Sequence, residues 1–114
     1  MPIEACSFGR MVIDGRTYTS DLIVYPDGRV VDGWWRARGH RLTLADIADL
    51  IAAGPEVIVA GTGVYGRLTP DGEVERVLSN QGIRFVAEAN EGAVAAYNRL
   101  SADRRVGGCF HLTC

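Results

Sequence analysis

The residues that most resemble a chemical site lie in the segment GTGVYG, residues 61–66, which matches the pattern G-x-G-x-x-G. The segment directly follows the short apolar run Val57–Ala60, and Glu88 ends the next apolar run, where a ribose-binding acid would stand. In a dinucleotide-binding domain such a loop holds a pyrophosphate at the N-terminus of a helix. This interpretation requires a helix that begins within the glycine pattern.

The residues after the loop argue against a dinucleotide site. Thr69-Pro70 predicts a helix N-cap followed by proline at the first helical position, and Pro70 would interrupt a helix begun at Gly63. Two alternatives remain open. Gly61 and Gly63 allow a sharp turn at the end of a buried strand, or the backbone N–H groups of residues 61–63 form a small anion site there. Open α/β sheets bind ligands at the carboxyl ends of parallel strands.

A second unusual stretch is WWRARGH, residues 34–40. Arg36 could stack on an aromatic ring or bind a carboxylate, and His40 could act as an acid or base or simply hydrogen-bond the chain near a helix entry. On a strand, Trp34 and Trp35 would point to opposite faces, so we expect one of them outside the main core. The residues of the candidate ligand site are Arg36, His40, Gly61, Thr62, Gly63 and Tyr65.

The cysteines and histidines do not predict a metal or catalytic site. Cys6, Cys109 and Cys114 are an odd number, and we expect reduced thiols. In the ending CFHLTC, Cys109 and His111 share a strand face but Cys114 has the opposite parity, which does not give the four ligands of a structural zinc site. A thiol–imidazole pair or a redox role there rests on proximity alone. We therefore expect no metal, no cofactor and no catalytic residue.

Composition sets the class of protein. The chain has 114 residues with 47% hydrophobic residues and a formal net charge of −2, from 12 Lys and Arg against 14 Asp and Glu. We expect one domain over residues 1–114, with no concentrated basic face for nucleic acid. Apolar runs are too short to span a membrane, and the N-terminus lacks the pattern of a secretory signal, so we expect a cytoplasmic protein without a membrane partner.

The order of the predicted elements indicates the fold class. The first third reads as a β meander with turns at Asp14-Gly15 and Pro26-Asp27-Gly28, and the rest alternates helix and strand. We expect helix N-caps at Thr43, Thr69 and Asn90, buried strands at EVIVA and IRFVA, and a last strand in which Gly107-Gly108 marks a bulge or a close backbone approach. This order predicts a three-layer α/β fold, with a mixed central β-sheet, packed helices and an N-terminal hairpin or meander layer.

Five segments together resemble a known family. They are FGRMVIDGRTY, WWRARGH, VIVAGTGVYG, AVAAYNRL and RRVGGCFHLTC, which span almost the whole chain. The chain resembles the adipogenesis-associated domain-containing protein family, whose distant mitochondrial branch includes an assembly factor of respiratory complex I. The ending is more similar to the adipogenesis-associated branch. The resemblance implies a three-layer α/β fold, a glycine segment without an established dinucleotide role, no agreed enzymatic activity, and action through protein partners.

These observations favour a small, non-catalytic interaction or adaptor domain over an enzyme. Such a domain should expose an aromatic patch, for which Trp34 or Trp35 with Tyr65 are the candidates. We expect an unidentified protein partner, or homodimerisation through that patch or through an edge strand of the hairpin layer. The alternative is a metabolite- or anion-binding protein or enzyme, with a pocket at the Gly61-Thr62-Gly63 loop.

Overall fold

The N-terminal layer is a three-stranded antiparallel sheet. The computed structural model describes residues 2–114, and this layer consists of β1 (Ile3–Ser7), β2 (Arg10–Ile13) and β3 (Arg16–Tyr18), in that spatial order. The turn between β2 and β3 places Asp14 and Gly15 at φ values of 52° and 76°. These left-handed conformations suit the Asp-Gly pair, so the predicted turn is confirmed.

A mixed five-stranded sheet forms the centre of the protein. Its strands are β4 (Leu22–Val24), β5 (Val30–Asp32), β7 (Val57–Gly61), β9 (Arg84–Glu88) and β10 (Val106–Phe110), in the order β5-β4-β10-β7-β9. The β4–β5 and β4–β10 pairs are antiparallel, whereas β10–β7 and β7–β9 are parallel. A separate parallel pair joins β6 (Arg41–Leu42) to β8 (Thr69–Pro70).

Helices and the three-stranded N-terminal sheet cover both faces of the central sheet. A 3₁₀ turn (Ala45–Ile47) leads into α1 (Ala48–Ala52), and the longer helices are α2 (Gly72–Asn80) and α3 (Asn90–Ser101). Successive residues of β7 enter different cores, because side chains of a strand alternate between its faces. Val57 and Val59 pack with α3 and the N-terminal sheet, and Ile58 and Ala60 pack with α1 and α2. The predicted mixed α/β fold with three layers is confirmed.

Two predictions, a helix start and a buried strand, need correction. Thr69-Pro70 is not the start of α2 but the strand β8, where Thr69 N–H donates to His40 O at 2.8 Å and Asp71 N–H to Leu42 O at 2.9 Å. Pro70 lies between these two donors, so its missing N–H costs no hydrogen bond in the pair. IRFVA is not a fully buried strand, because β9 is the last strand of its sheet and its residues are exposed or half-buried.

The glycines of β10 confirm the predicted close approach. A Cβ on Gly107 would lie 2.5 Å from Leu50 Cδ1, so α1 can pack directly on the strand only where a side chain is missing. Within residues 2–114, no helix is both long and apolar enough to cross a membrane.

Candidate functional site

The glycine loop is shaped by packing at the end of β7. Gly63 has a φ of 105°, and a Cβ there would lie 2.5 Å from Cys114 O. A Cβ on Gly61 would lie 2.5 Å from both Asn90 Oδ1 and Phe110 Cδ1. The first two glycines of the pattern are therefore required because the C-terminus, α3 and β10 pack against the loop.

The backbone donors of the loop already have acceptors within the chain. Thr62 N–H donates to Glu88 O at 2.9 Å, Gly63 N–H to Asn90 Oδ1 at 3.1 Å and Val64 N–H to Thr113 O at 2.7 Å. The helix nearest in sequence, α2, begins only at Gly72, after β8. The chain thus does not pass from the loop directly into a helix, as it does in dinucleotide-binding domains, and this agrees with the position of Pro70.

Asn90 connects the loop to the last strand rather than capping α3. Its side chain is 2% exposed, and its Nδ2 donates to His111 O at 2.7 Å while its Oδ1 accepts from Gly63 N–H. The N-cap position belongs to Ala89, which makes no side-chain capping bond. The predicted cap at Asn90 is wrong, because its side chain is used in contacts distant in sequence.

Arg36 belongs to a buried charged cluster that we call the Asp21 cluster, formed by Asp21, Arg36 and His111. Arg36 Nη1 lies 2.8 Å from Asp21 Oδ2, and His111 Nδ1 lies 2.8 Å from the same oxygen. Arg36 and His111 expose 7% of their side chains and Asp21 exposes 15%. Asp21 Oδ1 also accepts from Leu112 N–H at 2.8 Å. The carboxylate that Arg36 binds is therefore supplied by the chain itself.

The hydrogen bonds of the cluster determine the tautomer of His111. Arg36 Nη2 lies 3.2 Å from His111 Nδ1, but this nitrogen cannot both accept from Arg36 and donate to Asp21. The shorter contact, to an ionised carboxylate, assigns the proton to Nδ1. In the neutral ring, His111 Nε2 then accepts from Thr113 Oγ1, which lies 3.5 Å away. Arg36 Nη1 meets Asp21 as an ion pair outside hydrogen-bonding geometry.

The cluster also controls the ionisation of Asp21. Burial acts to raise the pKa of this carboxyl, but the hydrogen bonds from His111 and Leu112 N–H, together with the adjacent Arg36 guanidinium, outweigh burial and hold the pKa below its ordinary value of 3.8. The carboxylate is thus the stable form in the folded protein. Asp21 was not among the residues predicted from the sequence, and it lies ninety residues from His111.

The other predicted residues of the WWRARGH stretch lie in a loop after β5, not on a strand. The exposed His40 ring packs edge-on to His111, with centroids 5.5 Å apart. Trp34 is half-buried against the α1 and α2 core, its indole N–H donates to Asp46 O at 3.0 Å, and the Arg36 guanidinium lies 4.8 Å from its ring centroid. Trp35 is 88% exposed. Arg36 and His40 therefore meet around His111, beside Gly63.

The three thiols are free, and those of Cys109 and Cys6 are poorly suited to nucleophilic chemistry. Cys109 is fully buried, and burial raises its pKa to about 12, so it stays protonated. Burial also raises the pKa of the half-buried Cys6 thiol. In residues 2–114 no three His, Cys, Asp or Glu side chains come together as a set of metal ligands.

Two exposed aromatic side chains lie close together beside the glycine loop. Phe8, between β1 and β2, is 56% exposed, and Tyr65 of the glycine loop is 70% exposed, with ring centroids 6.2 Å apart. Beside them lies a groove of about 370 Å³. The residues that line the groove include Ser7 and Val64, which immediately precede the two rings, and Glu4, Cys6, Glu91 and Val94.

We call Phe8, Tyr65 and the adjoining groove the aromatic face. Sequence reasoning identified Tyr65 but missed Phe8, because Phe8 sits in a turn whose distance from residue 65 depends on how the N-terminal sheet packs. Trp34, named as part of the predicted interaction surface, is partly covered by the core instead.

Comparison with known proteins agrees with this fold. Residues 3–111 match a family described as a protein of unknown function, DUF498/DUF598. A conserved hypothetical protein from Pyrococcus horikoshii OT3 superimposes with a TM-score of 0.87 at 24% identity over 100% of both chains. A protein named MT938 gives 0.81 at 27% identity, over 99% of this chain and 98% of the other. A Bordetella pertussis protein described as an Mth938-like domain gives 0.62 at 20% identity, over 97% and 85%. Because the family match spans nearly the whole chain, this protein belongs to the DUF498/DUF598 family, whose function is unknown.

Proposed function

We propose that this protein is a non-catalytic protein-interaction domain whose contact surface is the aromatic face. The observation that carries the proposal is the adjacency of the Phe8 and Tyr65 rings, 6.2 Å apart and both more than half exposed. Burying large aromatic side chains supplies much of the free energy of protein association, and aromatic residues are enriched at binding hot spots.

The groove beside the rings suggests the chemistry of the partner. Val64 and Val94 provide an apolar lining, and the exposed carboxylates of Glu4 and Glu91 also line the groove. We therefore propose a protein segment that inserts an apolar side chain next to a Lys or Arg. Acidic groups around such a groove would favour this segment over an acidic one.

The alternative, an anion or metabolite site at residues 61–63, has less support. The N–H groups of Thr62 and Gly63 donate to Glu88 O and Asn90 Oδ1, and the Arg36 guanidinium pairs with Asp21. An anion bound there would have to displace these internal acceptors. The aromatic face requires no such exchange.

Within the family, we also propose that the chain stands nearer to the adipogenesis-associated branch than to the complex I assembly-factor branch. The closing segment RRVGGCFHLTC supports this placement. The action through protein partners that this resemblance implies agrees with the interaction role. A cytoplasmic location is part of the same proposal.

The test compares proteins retained from an extract of the native cells by three immobilised forms of the full chain. These are the wild type, the double variant Phe8→Ser/Tyr65→Ser, and Trp35→Ser as the matched control. Trp35 is more exposed than either ring, at 88%, and it makes no aromatic pair among the described residues. All three substitutions are at exposed positions, so unfolding free energies should stay within about 0.5 kcal/mol of the wild type.

We expect a protein retained by the wild type and by Trp35→Ser to be lost with the double variant. Binding of that purified protein should then weaken in a titration with the double variant alone. Retention of the same proteins by all three forms would contradict the aromatic face. Loss with Trp35→Ser instead would assign the contact surface to Trp35.

A further inference from the structure

The strand β9 has an unpaired edge. It is the last strand in the order β5-β4-β10-β7-β9, and within residues 2–114 no other strand pairs with its outer side. Phe85 and Val86 are half-buried, whereas Arg84, Ala87 and Glu88 are exposed. An exposed strand edge is a template for pairing with another strand, unless the protein blocks it.

The hydrogen bonds of β9 show which backbone groups face outwards. Arg84 N–H donates to Glu56 O at 3.0 Å, and Glu88 O accepts from Thr62 N–H at 2.9 Å, so the backbone groups of these residues point towards β7. In a parallel pair, alternate residues point their N–H and C=O groups to opposite sides of the strand. The N–H and C=O groups of Phe85 and Ala87 therefore point to the open edge.

These directions allow an antiparallel pairing of two β9 strands around a two-fold axis at Val86. Phe85 of one copy then lies opposite Ala87 of the other, and the two residues exchange both hydrogen bonds, as antiparallel pairs require. The neighbouring two-fold registers compatible with the backbone place Arg84 opposite Val86, or Val86 opposite Glu88. Only the register centred on Val86 places Arg84 opposite Glu88, and it does so twice.

We infer that this protein forms a homodimer in which β9 pairs with β9 of a second copy, matched by the Arg84–Glu88 charges. The second copy is favoured over a foreign strand because the edge is complementary to itself in charge, backbone direction and side-chain size. Opposite charges directly across an antiparallel pair stabilise it, and an isologous two-fold interface is the commonest kind in homodimers.

The surface beside the β9 edge leaves room for this pairing. On the side of α2, a groove of about 770 Å³ runs along β9 and is lined by Ser79, Ile83 and Phe85 among others. The bulky Phe85 would face the small Ala87 of the other copy, which leaves space for the ring. The inference does not depend on the aromatic face, since Phe8 and Tyr65 are not part of β9.

The test measures the oligomeric state of the full chain over a concentration series by sedimentation and native mass spectrometry. Arg84→Glu places Glu opposite Glu88 twice, and Glu88→Arg places Arg opposite Arg84 twice, so each should weaken dimerisation by about tenfold. The double exchange Arg84→Glu/Glu88→Arg restores both opposite-charge pairs and should restore the dimer. A mixture of the two single variants should form a heterodimer in preference to either homodimer.

Two further variants separate the edge from other causes. Arg99→Glu makes the same charge change at an exposed position of α3 and should leave dimerisation unchanged. Ala87→Pro removes an outward-facing N–H, and it should abolish the dimer while the chain keeps its folded circular dichroism spectrum.

A wild type that stays monomeric throughout the series would overturn the inference, and so would a dimer that is insensitive to charge exchange at residues 84 and 88. Phe8→Ser/Tyr65→Ser should dimerise like the wild type. Loss of the dimer in that variant would show that copies associate through the aromatic face instead, so the two proposals fail by different results.

Discussion

Replacing Asn90 with alanine should destabilise the protein more than any other single hydrogen-bonding change at the glycine loop. The side chain is 2% exposed and joins two buried backbone groups, Gly63 N–H at 3.1 Å and His111 O at 2.7 Å. Alanine leaves both groups without their partner in a site closed to solvent. An unsatisfied buried donor or acceptor costs about 1–3 kcal/mol, so Asn90→Ala should lower the free energy of unfolding by about 2–6 kcal/mol.

Asn98 offers a matched control in the same helix. Its side chain also makes two hydrogen bonds to backbone, accepting from Ile3 N–H at 2.7 Å and donating to Ile3 O at 3.0 Å. Asn98 is half-buried, so water can replace its amide after Asn98→Ala. We expect that substitution to cost about 1 kcal/mol.

Urea unfolding followed by circular dichroism would give both free energies, and hydrogen exchange would report the Gly63 amide. We expect Gly63 N–H to exchange faster in Asn90→Ala at a denaturant concentration where the amides of β7 stay protected. If Asn90→Ala cost no more than Asn98→Ala, the two buried bonds would not hold the loop against β10, and this account of the loop would be refuted.

Two further predictions concern the loop and the charged cluster. Gly63→Ala should lower the unfolding free energy by more than about 2 kcal/mol, because φ is 105° and a Cβ would lie 2.5 Å from Cys114 O. Gly72→Ala, where no atom lies within 4 Å of the added Cβ, should be neutral or stabilising in the same melts. The pKa of Asp21 is lowered from 3.8 in the folded state, so its stabilisation is present above that pH and is lost as the pH falls through the folded-state value. Unfolding free energies between about pH 5 and about pH 2 should therefore fall more steeply in the wild type than in Asp21→Asn, and parallel curves would contradict the cluster.

Local patterns were sufficient for many of the elements. The continuous apolar run at β7 predicted a strand covered on both faces, and Val59 and Ile58 do enter opposite cores. The Asp14-Gly15 turn and the close approach at Gly107 were also predictable, because both follow from the conformational freedom of glycine. Thr43 N–H and Oγ1 both donate to Asp46 Oδ2, as the spacing of these two residues indicated. The predicted N-cap at Thr43 is nevertheless wrong, because the N-cap positions of the 3₁₀ turn and of α1 are Leu44 and Ile47, and neither makes a side-chain capping bond.

The errors have a common cause in contacts between distant parts of the chain. Thr69-Pro70 has the local chemistry of a helix start, but pairing with β6 makes it a strand. Asn90 has the chemistry of a cap, but Gly63 and His111 use its amide. In both cases a tertiary partner competes for the same polar groups and wins over the local preference.

The sequence by itself determined the layered α/β class, the turns and the positions where only glycine fits, because these depend on side-chain period and on backbone sterics within a few residues. Only the tertiary structure decided which groups meet. Strand order brings Asp21 beside His111 and leaves β9 at an open edge, while the loop after β5 adds Arg36 and the packing of the N-terminal sheet sets Phe8 beside Tyr65. No local pattern encodes that order, since it follows from how all the apolar faces are buried at once.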